Sequence, residues 1–273
     1  MTFHEVGVNA RTCFNGFFSA SEPKKSLLLK SFCFYHFDFP GCEVDVPEHE
    51  RGGTSCTTSS GSGGSGNDGS EEEVLSLNDV SLQVGEAMKH LNIKQALGMG
   101  VGSGAYILTK TALAFPKAFA GLVLFAPCCK KATWWEYMFG KVLLKCLWYY
   151  GWNSKFAHTH LYQRLFSSAT NAAAQDGYGV SELLYTFNQE VEKIDPRSIW
   201  KYLRAVLDRE DILDDVKNLK SRVLLFLCVD SIYKHESLEM NLRLQHNIAD
   251  YIEVFDSGTL ITEQLPQVRS IDI

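Results

Sequence analysis

Ala96-Leu97-Gly98-Met99-Gly100-Val101-Gly102-Ser103-Gly104-Ala105 is a short apolar run passing through a cluster of glycines into a helical pattern, and its reading decides the fold. That order matches a nucleophile elbow, the sharp strand-to-helix turn on which Gly-x-Ser-x-Gly enzymes hold their attacking residue. Small residues two positions either side of the nucleophile let the strand and helix backbones pass closely, and Gly100 and Gly104 stand there. The position between them is Gly102, which has no side chain to attack with. Ser103 is the one hydroxyl in the turn, but it lies one residue past the nucleophile position, with Val101 where a small residue is needed. It reads as a turn residue capping the helix.

Working outward, residues 95–100 read as a strand, 104–114 as a helix and 121–126 as a second strand. Such strand-helix-strand units build parallel sheets covered on both faces, which accounts for the continuously apolar Gly-Leu-Val-Leu-Phe of 121–125. Residues 132–220 contain no convincing strand but carry helical patterns at 134–150, 161–166, 181–191 and 198–208. A strand at 222–229, a helix at 236–245 and a last strand at 250–255 follow. Sheet, helical insertion, then sheet again is the build of the α/β-hydrolases. The expected architecture is therefore α/β: a doubly wound, mainly parallel sheet whose core spans 1–131 and 221–273, with a helical cap at 132–220.

Upstream of the turn, the aromatic run of residues 31–39 closes on Pro40-Gly41 and reads as a central strand, with His36 a hydrogen-bonded core histidine. Residues 52–73, rich in Ser, Thr and Gly and ending in Glu71-Glu72-Glu73, read as a disordered loop. A helix over 80–91 shows an apolar face of Val80, Val84, Ala87, Met88 and Leu91, with Asn78 or Asp79 as N-cap.

A hydrolase needs its nucleophile, an acid after a later strand and a histidine after the last strand, in that chain order. The acid position falls among Asp230, Ser231 and Ile232, of which Asp230 is the vestigial acid. The histidine position falls in Asp256-Ser257-Gly258-Thr259-Leu260, where Thr259 stands, and no histidine follows His246. With Gly102 and Thr259 in two of the three places, a Ser-His-Asp mechanism is unavailable, and no enzyme activity is expected.

Other chemistries are weak. Gly100-x-Gly102-x-x-Ala105 satisfies a loose dinucleotide pattern, but the following strand ends Phe125-Ala126-Pro127, without the acid that would hold a ribose. His158 and His160 point to different helix faces, and the eight cysteines show no repeated Cys-x-x-Cys spacing. No metal, cofactor or disulfide is expected. The 273 residues carry a formal net charge of -6, which argues against a nucleic-acid footprint. The sequence shows no leader after Met1 and no apolar run that would span a bilayer. It reads as a cytoplasmic protein, with peripheral membrane association left open. The aromatic residues Trp134, Trp135, Tyr137, Tyr149 and Trp152 exceed what one buried helical stripe requires, and are the candidate partner-binding surface.

The chain resembles the N-myc downstream-regulated (NDR) family, most closely its plant NDR-like branch. His4-Glu5-Val6-Gly7-Val8-Asn9 with Cys13-Phe14-Asn15 is similar to the family's segment after its third strand, and residues 98–108 are similar to its elbow. Pro127-Cys128-Cys129-Lys130, Trp134 and Tyr149-Tyr150-Gly151 are similar to the plant branch in particular. The resemblance implies an α/β-hydrolase-like fold without hydrolytic residues, and signalling by protein association. Plant members are linked to heterotrimeric G-protein βγ signalling and auxin transport. It also implies that the family's first strands and final helix fall outside this sequence.

Overall fold

Among the described residues, six parallel strands form one sheet in the order β2-β1-β3-β4-β5-β6. They are β1 (Thr2–Phe3), β2 (His36–Phe37), β3 (Ala96–Val101), β4 (Phe119–Phe125), β5 (Arg222–Cys228) and β6 (Ala249–Val254). The computed structural model describes residues 1–19, 31–43, 75–168, 170 and 182–265. The loop expected at 52–73 lies outside them.

Alternation along the strands divides the core in two. Val223, Leu225 and Leu227 of β5 join one apolar cluster with Val80, Val84, Ile107 and Met240. Phe226 and Cys228 join another with Phe14, Phe17 and Leu260. Both faces of the sheet are thus covered, and this is why its inner strands β3, β4 and β5 lack polar alternation. One cluster is served by α2 (Leu77–His90), α3 (Ser103–Ala114) and α8 (Lys234–Arg243), the other by α1 (Ala10–Ser19) and the short α9 (Ile261–Gln264).

Between β4 and β5 come α4 (Trp134–Tyr150), α5 (Lys155–Leu165), α6 (Glu182–Val191) and α7 (Pro196–Leu207). Local chemistry fixes their starts: Thr133 accepts from the Glu136 N–H, Ser154 from Ala157, and Asp195 from Arg197 ahead of Pro196. On α4, Gly140 faces Leu207, whose methyl would lie 2.4 Å from any β-carbon there; the glycine lets α4 and α7 approach. Tyr202 of α7 stacks on Phe39 with ring centroids 4.2 Å apart, and its hydroxyl donates to the His4 carbonyl at 2.9 Å. The cap is thereby seated on the loop that follows β1.

Three expectations change. The run 31–39 is not a central strand: only His36 and Phe37 pair, at the edge of the sheet. A parallel ladder extends only as far as its shorter member, and β1 offers just Thr2 and Phe3. His36 is correspondingly exposed, with its Nδ1 2.6 Å from Thr2 Oγ1. The helix expected at 80–91 starts earlier, because Ser76 is the N-cap and Asp79 completes a capping box. Helix α1 was not expected from the sequence, although Phe14, Phe17 and Phe18 fall at the i, i+3, i+4 spacing of one helix face and all three pack on the same cluster.

Candidate functional site

Gly102 follows β3 and caps the start of α3 with φ +53° and ψ -111°, a left-handed turn that favours glycine. A β-carbon on Gly100 would come 2.7 Å from the Ala105 backbone, and one on Gly104 would strike the carbonyls of Phe3 and His4. Both flanking glycines are therefore demanded by close backbone approach. The turn has the geometry of an elbow, with no side chain at its apex.

The apex is filled from elsewhere. Glu5, in the loop after β1, is fully buried, and its Oε2 occupies the volume that a β-carbon on Gly102 would need. The same oxygen accepts the Ser103 backbone N–H. In a hydrolase elbow, the N–H following the nucleophile and an N–H from the loop after the preceding strand hold the oxyanion. Here the second donor of that kind, Val6 N–H, goes to Ser103 Oγ at 3.2 Å. Ser103 Oγ in turn donates to Tyr202 Oη at 2.9 Å. Both donors are satisfied internally, and the Ser103 hydroxyl is held in a buried network rather than presented to a cavity.

His4 keeps Glu5 in place. Its Nδ1–H donates to the Glu5 carbonyl at 2.8 Å while its Nε2 accepts the Phe39 N–H at 2.9 Å. Those two bonds require the neutral ring, and burial lowers its pKa in the same sense.

Thr259 also faces the elbow, its methyl 3.2 Å from the Gly102 β-carbon position. Its hydroxyl lies 2.7 Å from Ser231 Oγ. Thr259 thus touches both the elbow at Gly102 and Ser231. Asp230, the acid singled out from sequence, is exposed at the surface instead; its backbone N–H donates to Ser257.

Around this centre runs a buried ionic chain that the sequence did not disclose. Arg164 of α5 lies 3.7 Å from Glu5 and 3.8 Å from Glu136, and its guanidinium donates to the Tyr233 hydroxyl. Arg209, with a fully buried side chain, donates to both Glu136 oxygens at 3.0 and 3.1 Å, to Glu236 at 3.1 Å and to the Lys130 carbonyl at 2.6 Å. Glu236 closes the chain by accepting the N–H groups of Cys129 and Lys130 at 2.8 Å. Burial pushes the Glu5 carboxyl up, with Arg164 pulling against it. For Glu136 burial also pushes up, but Arg209 wins and holds it below the ordinary carboxylate range. Since Glu136, Arg164 and Arg209 belong to the cap segment and Glu5, Lys130 and Glu236 to the sheet layer, the chain latches one to the other.

A cavity of about 480 Å³ opens between α4, α5 and α8, lined among others by Phe139, Leu143, His160, Arg164, Tyr233 and Glu236. Gly102 is not among its lining residues. His158 Nε2 lies 2.7 Å from the Trp152 carbonyl, and no group of three metal-ligating side chains occurs among the described residues. The seven described cysteines are free.

The aromatic candidates separate. Trp134, Trp135 and Tyr149 are 64%, 66% and 75% exposed. Tyr137 and Trp152 are half-buried against the core, and Trp152 Nε1 donates to the Ile194 carbonyl at 2.8 Å.

An all-parallel sheet in this strand order, a glycine elbow and a helical cap between β4 and β5 define an α/β-hydrolase-fold protein. Solved structures agree: a thermophilic esterase from Thermogutta terrifontis superposes with a TM-score of 0.70 at 13% identity, covering 98% of this chain and 85% of that one. MenH from S. aureus gives 0.67 at 14%, covering 98% and 89%. The chain belongs to the Ndr family, whose model matches residues 1–60 and 63–271. It is 30% identical to Protein NDL3 of Arabidopsis thaliana over 99% of this chain and 72% of that protein. It is 28% identical to pollen-specific protein SF21 of Helianthus annuus over 100% and 71%, and 23% identical to the NDRG-like protein of Dictyostelium discoideum over 97% and 73%.

Proposed function

We propose that this chain is a non-catalytic signalling adaptor built on a hydrolase fold, acting in the cytoplasm by association with other proteins. One observation carries the reading: the Glu5 carboxylate takes both the nucleophile's volume beside Gly102 and the backbone N–H of Ser103. Neither a substrate carbonyl nor an attacking atom has room there. The kinship with plant NDR-like proteins makes a heterotrimeric G-protein βγ dimer the partner to test first, and the cap residues Trp134, Trp135, Tyr137, Tyr149 and Trp152 the candidate docking face. The exposed members of that set, Trp134, Trp135 and Tyr149, are the anchors, because large aromatic side chains bury much area with few rotors to freeze. A small-molecule carrier using the former substrate cavity would want a pocket facing Gly102, and the cavity under the cap does not include that residue.

A fluorophosphonate probe applied to the protein and to Ser103→Ala tests the non-catalytic reading. No specific labelling of either is expected; labelling that disappears on substitution would establish a residual hydrolase. Capture of purified βγ dimer by the protein and by Trp134→Ala/Trp135→Ala tests the association, with binding weakened in the variant as the expected result.

A further inference from the structure

We propose that the exposed ridge of α4 docks on an anionic bilayer surface, lying along the headgroup layer. The inference rests on the reading of the cap as a docking face and names what that face takes. Trp134, Trp135, Met138, Phe139, Val142, Trp148, Tyr149 and Tyr150 are the exposed large apolar residues of α4, while Gly140, Leu143, Leu144 and Leu147 turn inward. Trp134, Trp135, Met138, Val142 and Tyr149 recur at spacings that share one helix face, so the ridge runs along a helix of about 25 Å. Indoles and a phenol stand at its two ends with aliphatic side chains between, and Trp and Tyr favour the headgroup region of a bilayer.

Charge settles the kind of bilayer. The protein as a whole carries a net charge of -6, yet helices α4, α5 and α7 contain a single acidic residue, Glu136, and it is turned inward onto Arg209. Lys141 and Lys145 share that face, three residues beyond Met138 and Val142, Lys155 opens α5, and among the described residues none of the three has a carboxylate within ion-pair distance. Lys141 Nζ instead sits over the Tyr137 ring, 4.8 Å from its centroid. Lysines without acids on an exposed apolar helix face suit anionic lipid. No described helix is long and apolar enough to cross a membrane, so the contact lies on the surface.

The test uses the full chain with vesicles of phosphatidylcholine alone and of phosphatidylcholine and phosphatidylserine in roughly a 7:3 ratio. Expected are co-sedimentation with the mixed vesicles only, a blue shift of tryptophan emission on binding, and weakening by added salt in the unmodified protein. Lys141→Glu/Lys145→Glu should weaken binding by at least about fivefold for each lysine. Trp134→Ala/Trp135→Ala should abolish the blue shift, and unchanged melting curves would show that both variants fold. Absence of phosphatidylserine-dependent binding, or binding indifferent to salt and to both variants, overturns the proposal. If vesicles are ignored while Trp134→Ala/Trp135→Ala loses the βγ dimer, the ridge is a protein interface and the adaptor reading stands. If the variant alters neither, the cap is not the docking face and both readings of it fall.

Discussion

Ser231 Oγ and Thr259 Oγ1 face one another at 2.7 Å, in the two loops where the sequence leads one to look for an acid and a histidine. Two neutral hydroxyls exchange one hydrogen bond there, and neither takes up or releases a proton in the physiological range. The pair is a structural tie between the loop after β5 and the loop after β6. Thr259→Val should therefore cost about 1–2 kcal/mol in urea unfolding, the expense of leaving Ser231 without its partner. Thr259→His should not generate esterase turnover, measured with an activated ester.

Arg209 should be the most sensitive charged position. Replacing it with Leu leaves Glu136 and Glu236 facing each other without their shared cation, and loss of one partner from a buried ionic group costs about 3–5 kcal/mol. Denaturant melts should place Arg209→Leu at that cost, whereas Arg243→Leu, whose exposed ion pair with Asp214 is 2.7 Å long, should stay within about 0.5 kcal/mol.

The aromatic residues of the cap should divide in the same assay. Trp152→Ala removes a packed ring and its bond to Ile194 and should cost about 3–5 kcal/mol. Trp134→Ala should cost under about 0.5 kcal/mol. Equal losses at both positions would mean that Trp134 packs in solution.

Stability should fall on the alkaline side through Glu263. Burial pushes its carboxyl up to about 7, against 4.5 ordinarily, with the Gly16 N–H partly offsetting the effect. A carboxyl whose pKa is raised on folding favours the folded state fully below its ordinary value, and that contribution is lost as pH rises from 4.5 through about 7. The melting temperature should drop by roughly 3–5 °C between about pH 5 and pH 8, and Glu263→Gln should flatten the drop. Parallel curves for the two proteins would exclude Glu263 as the cause.

Much of this fold was legible because its inner strands are continuously apolar and its elbow glycines leave few alternatives. The helix expected at 134–150 and the strand at 222–229 correspond to α4 and β5 within one residue. The empty apex at Gly102 could be read directly as well. What filled it could not, because Glu5 is 97 positions away from Gly102 in sequence, and nothing in a loop glutamate announces burial. The ionic chain was hidden for the same reason: Arg164, Arg209 and Glu236 look like ordinary surface residues until tertiary contacts bring them together. The edge strand failed differently, since the aromatic run at 31–39 has strand composition but lacks a neighbour long enough to pair with.

Gly102→Ser should cost about 2–4 kcal/mol, combining a left-handed backbone with a β-carbon driven into Glu5. Adding Glu5→Gly should recover part of that loss, giving a coupling above about 1 kcal/mol in a double-mutant cycle. Independent, additive effects would mean that Glu5 swings clear.

Mutual exclusion at the elbow also governs how this chain could ever change its trade. Installing a nucleophile first meets an occupied apex, and vacating Glu5 first takes one of two carboxylates from the buried Arg164 with nothing gained. Each single substitution goes downhill in stability before the other can compensate. A nucleophile at Gly102 therefore lies across a valley that no one-residue step crosses, and the arrangement works as a ratchet: easy to maintain by ordinary packing, hard to reverse by gradual change.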